Sequence, residues 1–204
     1  MMKSNYFRTT AIAVFASVSV LQPICGEEVL AVYKASEMGL ASWRAMPADV
    51  NGKEMPDVNV ELKESEVDGQ TSMVVEYKTA INDNGKAFPD IVRLQSGDDF
   101  GGGFTPSEGS KVSVIIDANS QQTERKIRLF ITDANDENFF TAQKEISGSL
   151  SPIKLSLGKK GFWNVWWGDE NKKVDWPIKR LTVDIINTGA NSDADDKVAI
   201  SEIK

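Results

Sequence analysis

The chain has 204 residues, 23 basic against 30 acidic side chains, a net charge of −7, one cysteine and no histidine. Without histidine, Ser-His-Asp and Cys-His catalysis and His-ligated zinc or copper sites are excluded, so an enzyme here would have to use carboxylates, Lys, Tyr or a hard metal ion. The acidic balance argues against nucleic acid or an anionic membrane as partner, because both need a cationic surface.

The first segment reads as an export signal. Lys3 and Arg8 precede the apolar "AIAVFASVSVL" (11–21) and the short "QPICG". That run is about half of the ~20 residues needed to span a bilayer, so a signal peptide fits better than a membrane helix. Cleavage is expected after Gly26, with residues 1–26 removed and 27–204 forming one domain in the periplasm, at the cell surface or outside the cell. Acylation of Cys25 would make a lipoprotein instead, but Gln22 and Ile24 stand where a lipobox wants Leu and a small residue. With Cys25 discarded, no disulfide holds the mature chain, and buried apolar surface must do so.

Period two dominates the mature chain. "KVSVIID" (111–117), "KIRLFIT" (126–132) and "RLTVDII" (180–186) alternate cleanly, as half-buried strands do. Less regular strands are expected at 29–33, 58–63, 72–78, 90–94, 139–145, 152–157 and 197–203. "VDGQ", "NDNGK", "TDANDEN", "ISGS" and "TGANSD" supply Gly/Asn/Asp turns between them. "ASEMGLASW" (35–43) has room for a turn or two of helix, and "QSGDDFGGGFTPSEGS" (95–110) reads as an exposed loop. About ten short strands without intervening helices imply antiparallel pairing in two packed sheets, an all-β jelly-roll sandwich.

Four of the five tryptophans fall in "FWNVWWGDENKKVDWP" (162–177). If 162–167 is extended, Trp163, Val165 and Trp167 share one face and Phe162, Asn164 and Trp166 the other. The first set is the better core, which makes Trp166, beside polar Asn164, the first candidate for exposure. Two readings stand: tryptophans capping a sandwich core, or an apolar platform with placed polar groups for a ligand. A sugar ring suits the second, because its C–H face stacks on an indole while its hydroxyls seek polar partners. The candidate ligand residues are Trp166, Trp163, Trp167, Asn164, Asp169 and Trp176, with Glu170 and Asn171 nearby. Asp175 is placed to cap the local turn, with Trp176 packing under it.

The order "KVSVIIDANSQQTERKIRLFITDANDENFFTAQKEI", "PIKLSL", "VDWPIKRLTVDII" and a closing "KVAISEIK" resembles the galactose-binding-like jelly roll shared by carbohydrate-binding modules of secreted bacterial polysaccharide-degrading systems. The likeness covers roughly residues 55–204 and lies in strand order and spacing. It implies a polysaccharide or oligosaccharide ligand, although the same fold also hosts protein-binding and purely structural domains. It also implies a structural calcium held by the final strand and the N-terminal region. Ser201 stands where the family's Asp would be, which leaves Glu202, with Glu28 or Glu37, as its ligands. "DANDEN" (133–138) lacks the Gly and Glu of a calcium loop and reads as a hairpin turn, and "NSDADD" (191–196) reads as a solvated loop.

The leading expectation is therefore an exported, non-catalytic carbohydrate-binding domain. An envelope or matrix domain whose partner is a protein is the alternative, its aromatic patch serving as an interface hot spot. A glycan-cleaving enzyme would need a carboxylate pair such as Asp169 and Asp175, and no motif selects one.

Overall fold

The computed structural model describes residues 33–49, 51–81, 83–85, 87–97, 105–106, 112–122, 125–157, 162–166, 168, 171, 173–187 and 194–204, with the backbone alone for 87, 157 and 162–166. The expected signal peptide, Glu28, Trp167, Asp169, Glu170 and most of the 95–110 loop lie outside the described residues.

Among the described residues every strand pairing is antiparallel, and the strands form two sheets. In chain order the elements begin with β1 (Tyr33–Lys34), α1 (Ala35–Met38), β2 (Trp43–Ala48), β3 (Val60–Val67), β4 (Gln70–Ile81), β5 (Ala87–Phe88), β6 (Ile91–Ser96) and β7 (Val112–Ser120). The second half holds β8 (Lys126–Thr132), β9 (Asn138–Thr141), β10 (Lys144–Glu145), β11 (Ser151–Leu157), β12 (Phe162–Trp166), β13 (Arg180–Ile186) and β14 (Ala194–Ile203). The first sheet runs β11-β7-β14-β4-β3, and the second runs β12-β9-β8-β13-β6-β2. This is the expected jelly-roll β-sandwich.

Alternation explains the core. Ile127, Leu129 and Ile131 of β8, Leu181, Val183 and Ile185 of β13, and Val92 and Leu94 of β6 meet Met73, Val75, Val114, Ile116, Val198 and Ile200 of the first sheet. Each such aliphatic side chain, fully withdrawn from water, contributes about 1.5–3 kcal/mol. In β14 the alternation skips: Ile200 and Ile203 are both in the core because the ladder with β7 shifts register between Ile200 and Glu202. A bulge of this kind re-aims the residues beyond it. β4 pairs β14 only as far as Met73 opposite Ile200, and β1 then takes its place opposite Glu202 and Ile203.

Several expectations change. The helix is one turn of the one or two expected, α1, ending at Gly39 with φ +59°. The rest of the 35–43 segment leads into β2, where Trp43 is buried in the core. The expected strand at 139–145 is broken into β9 and β10. "NSDADD" is not a solvated loop throughout, because β14 begins at Ala194 and Asp196 is buried. Its carboxylate pairs with Arg125 through Nε, with the side chains 0% and 2% exposed. The Tyr77 hydroxyl lies 2.8 Å from both Asp196 Oδ2 and Asn187 Oδ1, and Asn187 Nδ2 donates to the Pro89 carbonyl at 2.8 Å. This buried polar chain ties β4 and β14 of one sheet to the entry of β8 and the exit of β13 in the other.

Candidate functional site

The second sheet turns Ile127, Leu129, Leu181, Val183 and Leu94 inward, so the residues between them form its outer face. Register aligns these in rows across the strands. Trp163 stands opposite Phe140, Phe140 opposite Phe130, Phe130 opposite Thr182, Thr182 opposite Gln95 and Gln95 opposite Arg44. Six strands at roughly 4.8 Å spacing make this row about 24 Å long, enough for several linked pyranose rings. The next row sets Arg128 opposite Asp184, Asp184 opposite Arg93 and Arg93 opposite Met46.

Asp184 is fully buried between two guanidinium groups. Arg93 donates through Nε to Oδ1 at 2.7 Å and through Nη2 to Oδ2 at 3.1 Å, while Arg128 donates to Oδ2 through Nε at 3.0 Å and Nη2 at 2.9 Å. Two cations thus share one carboxylate, leaving a surplus positive charge on the face. Each guanidinium also lies over a ring from the aromatic row: Arg93 Cζ is 5.4 Å from the Phe130 centroid and Arg128 Cζ is 5.0 Å from that of Phe140. Such stacking contributes about 0.5–2 kcal/mol per pair and holds the guanidinium plane in a fixed pose. Arg44 is exposed and donates to Gln95 Oε1, from Nε at 2.8 Å and also from Nη2. Its partner is a neutral carboxamide, so its charge is not cancelled there. Pre-oriented donors beside half-buried rings can do two things: stack against a sugar face and donate to its oxygens.

The expected aromatic site is only partly described. The β12–β9 ladder shifts register between Trp163, opposite Phe140, and Trp166, opposite Asn138. The alternation assumed across 162–167 is therefore interrupted, and positions 163 and 166 both face residues of the same β9 parity. Asn164 lies between them on the same strand. Trp176 is half-buried and packs against the core. Trp167 and Asp169 lie outside the described residues. The structure thus sets Trp163 next to Phe140, and it adds Phe130, Arg93, Arg128, Asp184, Gln95 and Arg44, which the sequence reading missed. A signal for them existed: in "KIRLFIT" and "RLTVDII" the alternation that buries the aliphatic residues must turn Arg128, Phe130 and Asp184 to the other face.

The loop around Trp176 is organised by the "DANDEN" turn, which joins β8 to β9 as expected. Asp133 Oδ1 accepts from the backbone N–H groups of Asn135 and Glu137, both at 2.9 Å, and its Oδ2 accepts from that of Asp175 at 2.9 Å. Asp175 Oδ2 in turn accepts from Asn171 Nδ2 at 2.7 Å and from Asn135 Nδ2 at 3.0 Å. Asp133, Glu137 and Asp175 bring carboxylate oxygens within 4.8 Å of one another, and are the group of described residues that could hold a metal ion together.

The calcium implied for Glu202 and Glu28 meets a different chemistry. Glu202 Oε2 accepts an ion pair from Lys204 Nζ at 2.8 Å, and Lys34 stands opposite Glu202 in the β1–β14 ladder. Glu37, the other suggested ligand, is paired with Lys34 at 2.6 Å. Lys34 and Lys204 both have their pKa raised, each first of all by the hydrogen bond to its glutamate. A divalent cation would have to displace ammonium groups already in place, and Ser201 offers it only a neutral hydroxyl. The described part of this junction does not fit the ion. Where β4 leaves β14, a cavity of about 330 Å³ is lined by Lys34, Glu66, Thr71, Ser201 and Glu202 among others.

No protein-family model and no curated protein matches the chain. Solved structures do. The family 11 carbohydrate-binding module of the cellulosomal cellulase Lic26A-Cel5E of Clostridium thermocellum aligns with a TM-score of 0.52 and 12% identity over 87% of this chain and 93% of that one. A family 11 module from Clostridium thermocellum, in complex with a β-1,3-1,4-mixed-linked tetrasaccharide, gives 0.52 and 11% over 82% and 90%. A CBM28 module specific for non-crystalline cellulose gives 0.52 and 13% over 88% and 95%. At these identities the likeness is one of fold: the chain has the jelly-roll β-sandwich of carbohydrate-binding modules.

Proposed function

We propose that the chain is a non-catalytic carbohydrate-binding domain of an exported polysaccharide-handling system, with the outer face of the β12-β9-β8-β13-β6-β2 sheet as its binding surface. The observation that carries this reading is the transverse row from Trp163 through Phe140 and Phe130 to Gln95 and Arg44. An extended glycan laid along it would meet ring faces at one end and polar donors at the other. Of the Trp-rich stretch, Trp163 stands in register with the row, opposite Phe140. The shared fold with modules such as the family 11 domain supports the assignment. So does the lack of histidine, which removes the commonest general acid–base residue.

The test is retention of the chain in native gels cast with a panel of soluble polysaccharides, neutral and acidic. At least one glycan should retard it, and Phe140→Ala should abolish the retardation while the melting transition persists. Migration unaffected by every member of the panel would overturn the assignment, and release of reducing ends from any member would show an enzyme instead.

A further inference from the structure

The two sheets carry opposite charge. In the six strands β2, β6, β13, β8, β9 and β12, Asp184 is the single acidic residue, against Arg44, Arg93, Lys126, Arg128 and Arg180. In β3, β4, β7, β11 and β14, eight acidic residues stand against four basic ones. The arginines make the contrast sharper. The sequence has six. Arg8 lies outside the described residues, and Arg125 is buried against Asp196. The other four, at alternating positions 44, 93, 128 and 180 of the second sheet, all fall on the parity opposite to the core. A chain of net charge −7 thus gathers its remaining guanidinium groups on the one face assigned to the glycan.

We propose that this face selects a uronic-acid polysaccharide, a polymer with a carboxylate on its sugar rings, over a neutral one; this rests on the carbohydrate-binding reading of the same face. Arg93 and Arg128 already hold a carboxylate, Asp184, through paired N–H donors. Because they share it, one positive charge is left for a ligand. Arg44 adds a second, exposed and bonded to a neutral amide. Guanidinium forks match carboxylate geometry, and their stacking on Phe130 and Phe140 fixes their planes before a ligand arrives.

Spacing favours a charge on every ring over scattered charges. Strands stand about 4.8 Å apart, close to one pyranose repeat, so a glycan crossing them sets successive rings over successive strands. Arg44 on β2 and, in the adjacent row, the Arg93 and Arg128 pair on β6 and β8 then stand at intervals of one and two strands along the glycan. The acidic residues of the first sheet do not cancel this attraction. They lie on the far side of a sandwich about 10 Å thick, farther from a ligand than the guanidinium groups it would touch, and Coulomb energy falls with distance.

The experiment titrates the full chain with polygalacturonate, its fully methyl-esterified form, dextran sulfate, mixed-linkage β-glucan and polyglutamate. Polygalacturonate should bind at least about tenfold tighter than its methyl ester, the worth of one charge-assisted contact, and more weakly as salt is raised. Arg44→Gln, an exposed change, should weaken polygalacturonate several-fold with an unchanged melting transition. Equal or tighter binding of the ester or of the neutral glucan would overturn charge selection and leave the carbohydrate reading standing. Preference for dextran sulfate would overturn the uronate assignment. Polyglutamate binding as well as polygalacturonate would show that the face reads charge without sugar, and binding to none of the five would overturn the uronate proposal together with its premise.

Discussion

Asp196→Ala tests the brace between the sheets. In the folded chain the Asp196 carboxylate is 0% exposed, pairs with an Arg125 that is 2% exposed, and lies 2.8 Å from the Tyr77 hydroxyl. Removing it strands a guanidinium with no route to water, and breaking a buried pair from one side costs about 3–5 kcal/mol. Tyr77 retains Asn187 Oδ1 at 2.8 Å, so its hydroxyl adds little to the loss. In a domain of this size each kcal/mol moves the melting temperature by roughly 2–4 °C, which places the expected drop at about 6–20 °C. Urea denaturation read by tryptophan fluorescence gives the free energy directly, and the double variant Arg125→Met/Asp196→Leu supplies the control. If the cost comes from an uncompensated charge, the double variant should be more stable than Asp196→Ala, because no charge remains buried. A single variant within about 1 kcal/mol of the parent, or a double variant whose losses merely add, would refute the reasoning.

Three further outcomes are expected from other parts of the fold. Asp184→Asn keeps the shape of the carboxylate but leaves Arg93 and Arg128 facing each other without their shared anion, and should cost about 3 kcal/mol in urea unfolding; an unchanged midpoint would mean that the guanidinium groups find other acceptors. Gly168 has φ +75°, and a Cβ there would fall 2.5 Å from the Glu137 amide nitrogen and 2.8 Å from the Asn135 carbonyl oxygen, so Gly168→Ala should lower stability by about 2 kcal/mol or more, and an unaltered melt would contradict that close approach. Burial, and secondarily Glu64, pushes Tyr33 up to about 12, and burial holds Tyr77 well above the usual 10. The unfolded chain releases these protons first, so stability is whole below pH 10 and falls as pH rises from there through 12. Tyr33→Phe should flatten part of that decline and cost little near neutrality, since the Tyr33 hydroxyl is buried without a hydrogen-bond partner among the described residues; a large loss at neutral pH would count against this.

Two of the three strands with clean alternation were legible to the residue, while the one expected at 111–117 runs on as Val112–Ser120. β8 and β13 occupy 126–132 and 180–186 as their patterns dictate. β2 was not, because "WRAMPA" carries Pro47 and a mixed pattern, and its place is set by the ladder with β6. The Arg125–Asp196 pair was hidden for a related reason: an acidic run looks solvated until the partner that buries it is known. The candidate site divides in the same way. Indole density drew attention to 162–177, and β12 does stand at the edge of the relevant face. The rest of that face is a set of single residues on six strands, and their adjacency exists only in the register. Asp184 was the best overlooked clue. An aspartate in the middle of a strand of aliphatic residues is costly unless something charged meets it.

The charge division between the sheets has no rationale in stability alone. Interspersed signs serve solubility better than a single-sign field, and like charges on one face repel. The second sheet goes further, placing Arg93 and Arg128 on either side of one carboxylate when a one-to-one pairing would neutralise both. Folding therefore tolerates an excess of positive charge there, held rigid by Asp184 below and by the phenylalanine rings beside it. An arrangement that keeps guanidinium groups fixed and under-neutralised lowers the cost of receiving an anion, because the ordering is complete before the ligand arrives. The acidic strands of the opposite sheet offset this excess without touching that surface, and residues outside these strands carry the net −7 of the chain, so charge of one sign supports solubility while charge of the other is concentrated where an elongated, carboxylate-bearing glycan would lie.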